Sequence, residues 1–168
     1  MKISIIVTAI ALSLSAACAS ANPTDNDFAI KATKDGNTEV AIGKIAQERG
    51  QNTSIRDFGM KMVADHTTAG NELKAAASSD NVMIPENAMT VDQSVVDKVS
   101  NLEGGAFDKA YAKMMVEDHK KAVALFKKES TSGTGELKAF AARTLPTLEM
   151  HLKMAMDLQT GDNTPTQQ

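Results

Sequence analysis

The sequence predicts an all-α protein, an up-and-down four-helix bundle with a short extra helix between its second and third long helices. Three observations carry that expectation. The chain has no Trp, is only 4% aromatic and is rich in Ala, Leu, Met, Lys and Glu, a composition that favours helices. Glycine, proline and capping residues divide it into four long segments and a short one. Two of the long segments also carry the same string, Met-Val-x-Asp-His-x-x-Ala, at Met62 to Ala69 and at Met115 to Ala122.

Residues 1–21 are read as a secretory signal peptide. Lys2 precedes an apolar run from Ile3 to Ala11, extended through Leu14, and Ala19-Ser20-Ala21 has the Ala-x-Ala form of a cleavage site. The expected product is a periplasmic or secreted protein, because no second hydrophobic stretch long enough to span a bilayer follows. Cys18, the sole cysteine, offers the alternative of a lipoprotein anchored through that residue. Its lipid-attachment motif wants Leu, Val or Ile three positions earlier, where Ser15 stands.

The domain itself is expected over 22–159. Pro23-Thr24-Asp25 opens a first helix at about 28–49, weakened in its middle by Gly36-Asn37. Gly50 to Ser54 make a turn and a new cap for a second helix, ending near Ser79. Residues 80–89, with Pro85 inside, read as a loop. Thr90-x-x-Gln93 has the capping-box form and opens the short helix, which Gly104-Gly105 end. The third long helix spans about 106–129, and the fourth 136–158, with a kink expected at Pro146. The polar tail 160–168 is expected to be disordered.

With a formal net charge of −3, the 168-residue chain is a poor nucleic-acid binder. Lys120, Lys121, Lys127 and Lys128 are balanced by Glu117, Asp118 and Glu129, as on a solvated helix face. No Ser-His-Asp, Cys-His, phosphate-loop or nucleotide-binding arrangement is visible.

The chemistry lies in the histidines. At 3.6 residues per turn, Phe58, Met62, His66 and Ala69 share one face, as do Tyr111, Met115, His119 and Ala122. The third and last histidine, His151, is flanked by Leu148, Leu152 and Ala155. Glu39 sits on the apolar face of the first helix with Ile42, Gly43 and Ala46, where a carboxylate needs a partner. These four residues lie one on each long helix. Glu39 and His66 are expected at nearly one level, and His119 and His151 about six residues, or about 9 Å, apart unless the helix boundaries shift.

Three imidazoles and a carboxylate suit one divalent ion: zinc, iron, manganese or copper. The predicted ligands are Glu39, His66, His119 and His151. Asp65 and Asp118 are the expected hydrogen-bond partners of the histidines' other ring nitrogens, each serving a neighbouring helix. Met62 and Met115 are soft ligands if the ion is copper, and core filler otherwise.

These residues resemble the bacterial envelope proteins of the domain of unknown function 4142, a branch of the ferritin-like bundles. The resemblance rests on 38–44, Met62 to His66, 107–111, Met115 to Ala124, and Leu137 to His151. It implies a ferritin-like four-helix bundle in the periplasm and no particular activity. Ferritin-like proteins bind two metals through Glu-x-x-His motifs. Here Val63, Val116 and Leu148 stand three residues before the histidines, which puts carboxylate-rich di-iron chemistry in doubt. The function expected is an exported bundle with one metal site, acting in metal handling or envelope stress rather than as a turnover enzyme. The alternative is a metal-free structural or interaction protein whose Asp-His pairs clamp helices together.

Overall fold

The computed structural model describes residues 22–161. The expected signal segment with Cys18, and the tail beyond Gly161, lie outside the described residues. Five α-helices follow in order: α1 Pro23–Arg49, α2 Thr53–Ser79, α3 Gln93–Ser100, α4 Gly104–Ser132 and α5 Gly135–Thr160. A 3₁₀ turn, Glu86–Ala88, interrupts the loop after α2. Among the described residues there is no strand, and no helix is long and apolar enough to cross a membrane.

α1 starts at Pro23, five residues earlier than expected, because Asn22 caps it by accepting from the Thr24 N–H at 3.1 Å and proline costs nothing at a first helical position. α3 is not opened by a capping box. Its cap is Asp92, which accepts from Ser94 N, while Gln93 turns forward to Asp97 and Thr90 bonds Asn87. Asp92 wins because its carboxylate is the stronger acceptor and Lys34 of α1 pairs with it at 3.1 Å. α5 runs unbroken across Pro146. Pro146 and Ala142, whose carbonyl loses its donor, are both exposed residues, a place where solvent can stand in for the missing bond.

α1 and α2 form one hairpin and α4 and α5 another, and α1 also packs on α4 and α2 on α5. Side chains at the helix ends fix the directions. Asp108, near the start of α4, meets Gln51 and Asn52 just before α2; Asp80, after the end of α2, meets the start of α5; Asp25, in the first turn of α1, meets Thr134 just before α5. Neighbours in space are therefore antiparallel, as expected. Along the chain, however, α2 and α4 run the same way, on opposite corners. Segment 80–103 causes this by returning along α1, where Thr38 Oγ1 accepts from Asp92 N at 2.9 Å and Asn37 donates to the Met89 carbonyl. A single long crossover of this kind distinguishes ferritin-like bundles from those with short turns throughout.

The apolar interior falls into two clusters. The upper one gathers Ile42, Phe58, Met62, Val99, Phe107, Tyr111 and Met115; the lower one gathers Phe28, Leu73, Phe126, Leu137, Phe140 and Leu148. At Gly43 and Gly59 the backbones of α1 and α2 nearly touch. A Cβ on Gly59 would meet the Gly43 carbonyl oxygen at 2.8 Å, so only glycine lets the helices come this close. That approach, one turn above Glu39, brings α1 within reach of α2's histidine. The layer between the two clusters is polar.

Candidate metal centre

All four sequence-predicted residues meet in that layer, and all are buried: Glu39 4%, His66 9%, His119 0% and His151 0% exposed. One ring nitrogen from each histidine lies within 4.8 Å of the others. Ring centroids are 5.7 Å apart for His66 and His119, 5.5 Å for His66 and His151, and 5.4 Å for His119 and His151. The expected mismatch between His119 and His151 shrinks because α4 runs on to Ser132 before the turn.

His119 and His151 each spend one nitrogen on a hydrogen bond, and His66 turns one toward a carboxylate. His66 Nδ1 lies 3.1 Å from Glu39 Oε2. His119 Nδ1 lies 3.0 Å from the Met115 carbonyl and 3.5 Å from Glu39 Oε1. His151 Nε2 lies 2.8 Å from Asp65 Oδ2, across the α2/α5 contact. With those nitrogens as N–H donors, three acceptors remain: His66 Nε2, His119 Nε2 and His151 Nδ1. All three are buried without a hydrogen-bond partner.

Glu39 lies beside the Nδ1 atoms of His66 and His119 and not beside the nitrogens that lack a partner. Asp65 reaches a histidine on a neighbouring helix, as its position around α2 implied. Asp118 does not: it is bound by Lys121 at 3.0 Å, and the Met115 carbonyl and Glu39 hold His119 instead. The identical string in α2 and α4 thus meets different neighbours. Met62 and Met115 are fully buried in the upper cluster. The Met115 carbonyl was not foreseeable from side-chain chemistry, although a histidine four residues after any helical carbonyl can make this bond.

Burial sets the charges. Desolvation lowers the His66 pKa to about 4 against the raising effect of Asp65. It lowers His151 to about 4 against its hydrogen bond to Asp65, and lowers His119 against the pull of Glu39. The imidazoles are thus neutral at pH 7, the form that donates a lone pair. Desolvation also raises the Glu39 carboxyl to about 7, with His119 opposing and Asp118 and Asp35 adding to the rise. Phe58, one turn before the first copy of the string, lies above the layer, its ring centroid 6.4 Å from those of both His119 and His151.

Fold and site together define an all-α bundle with a buried three-histidine cluster at its waist. The chain belongs to the family described as a domain of unknown function, DUF4142, which matches residues 11–158. Among solved structures it is similar to a DUF305 fragment from Deinococcus radiodurans, with a TM-score of 0.70 at 15% identity, covering 84% of this chain and 98% of that one. At that identity the likeness establishes the shared fold. No curated protein matches the sequence.

Proposed function

We propose that this bundle binds one divalent metal ion through His66 Nε2, His119 Nε2 and His151 Nδ1, and serves metal handling or the response to envelope stress after export. The observation that carries the reading is the set of three unpartnered nitrogens in one buried layer. A buried polar atom without a partner costs about 1–3 kcal/mol, and three together are hard to sustain unless something joins them. An ion about 2.0–2.1 Å from each nitrogen answers all three at once. Asp65 then orients the His151 ring, accepting from the N–H opposite its ligand atom, and Glu39, 3.1 Å from His66 Nδ1, stands where it would aim the second ring. A purely structural clamp explains those outer hydrogen bonds and leaves the inner nitrogens unexplained. The donor set suits zinc, iron, manganese or copper. Export rests on the Lys2, apolar-run and Ala19-Ser20-Ala21 pattern.

The test is thermal unfolding of purified, chelator-treated protein with each metal. At one hundred times the dissociation constant, about 2.7 kcal/mol of added stability is expected. His119→Ala is expected to abolish the shift. A normally folded protein that none of these metals stabilises would overturn the proposal.

A further inference from the structure

The two sides of the histidine layer differ. Phe58 covers it from above. Below, toward the lower cluster, lies a cavity of about 50 Å³ whose wall includes His66 and His151. A water needs only about 10–15 Å³ by this measure, so the space suits a molecule of two or three heavy atoms. Leu73, Phe126, Phe140 and Leu148 make most of it apolar. Its polar lining on α1 includes Asp35, Asn37 and Glu39 beside Thr33, which is 5% exposed and whose hydroxyl has no hydrogen-bond partner. Three protein nitrogens leave a tetrahedral ion one position short, and such an open position is what separates a reactive site from a closed structural one.

We infer that the centre is coordinatively open toward this cavity and takes an exogenous ligand of two or three heavy atoms there, one end on the metal and the other toward the Thr33 hydroxyl. This inference rests on the three-histidine reading. The apolar walls favour small, weakly hydrated molecules over large polar ones.

The experiment uses the purified protein loaded with cobalt(II), with azide as the probe. One cobalt per chain is measured first; its absence would sink the three-histidine reading itself. With cobalt bound, azide is expected to shift the visible cobalt absorption, saturating at one azide per metal. Cobalt bound through the histidines with an unchanged spectrum at saturating azide would overturn the open position and leave the metal site standing. Ala69→Leu, which places a larger side chain in the cavity wall, is expected to keep cobalt and weaken azide at least tenfold. Thr33→Val, which preserves volume and removes the hydroxyl, is expected to weaken azide about threefold. Unchanged azide affinity in cobalt-loaded Ala69→Leu, or in Thr33→Val should the leucine variant lose its metal, would show that the ligand does not enter this cavity.

Discussion

Glu39 reaches two rings with one carboxylate, Oε2 to His66 and Oε1 to His119. A group in that place changes how firmly the rings are aimed and leaves the nitrogens facing the ion intact. Glu39→Gln is therefore expected to keep the metal-dependent rise in melting temperature with an affinity about 10- to 100-fold lower, as outer hydrogen-bond partners typically give. Complete loss, matching His119→Ala, would make Glu39 a direct ligand. The two aspartates of the repeat separate in the same assay. Asp65→Asn is expected to weaken binding through His151, and Asp118→Asn to leave it within a few-fold of the parent. What the sequence discloses at this scale is position: spacing on each helix showed that Glu39 and three histidines point inward. It could not disclose which atoms face one another. Asp65 and Asp118 hold the same place in the repeated string, but Asp65, besides pairing with Lys61, meets His151 across the packing of α2 on α5, whereas Asp118 pairs with Lys121 of its own helix.

The long helices are capped by one another. Asn52, Glu103 and Thr134 precede α2, α4 and α5 without a side-chain capping bond of their own. In their stead Asp108 accepts from Gln51 N and Asn52 N, both at 2.9 Å, and Asp80 accepts from Glu136 N and Leu137 N at 2.9 and 2.7 Å. Asp108→Ala leaves these donors unpaired in a part-buried place. It is expected to cost about 1.5–3 kcal/mol, measured by urea unfolding, with metal stoichiometry retained. Helix ends were legible from glycine and proline, but caps supplied by distant helices were not, because their partners lie more than fifty residues away. At the other end of the bundle from Asp108, Glu129 is 1% exposed, and desolvation followed by the nearby Asp25 raises its pKa to about 7. A raised carboxyl contributes stability below its ordinary pKa of 4.5, and that stability is lost as pH rises through about 7. Glu129→Gln should therefore match the parent near pH 4 and exceed it increasingly toward pH 8, by an amount on the order of a few kcal/mol. Parallel melting curves across that range would refute the assignment.

At the scale of the whole molecule, the composition and the four apolar stripes led directly to a four-helix bundle. The direction of α4 was not readable, since it depends on where segment 80–103 lies, and that is fixed by contacts such as Thr38 with Asp92 that no local pattern announces. The centre takes Glu39 and His66 from the first hairpin and His119 and His151 from the second. Met83, in the crossover between them, is 84% exposed, which offers a place to open the chain. A molecule cut there is expected to stay assembled when metal is bound and to separate into two hairpins far more readily after chelation, as sedimentation would show. Equal dissociation with and without metal would mean that the ion does not bridge the halves.

The crossover then acquires a thermodynamic meaning. In the intact chain it is a tether that holds the two halves of the site at a high effective concentration, in the millimolar range for short linkers. Metal affinity in the cut molecule should become dependent on protein concentration, and in the intact chain it should not. On the proposed metal reading, the uninterrupted polypeptide would let a site divided between two hairpins keep its affinity however dilute the protein.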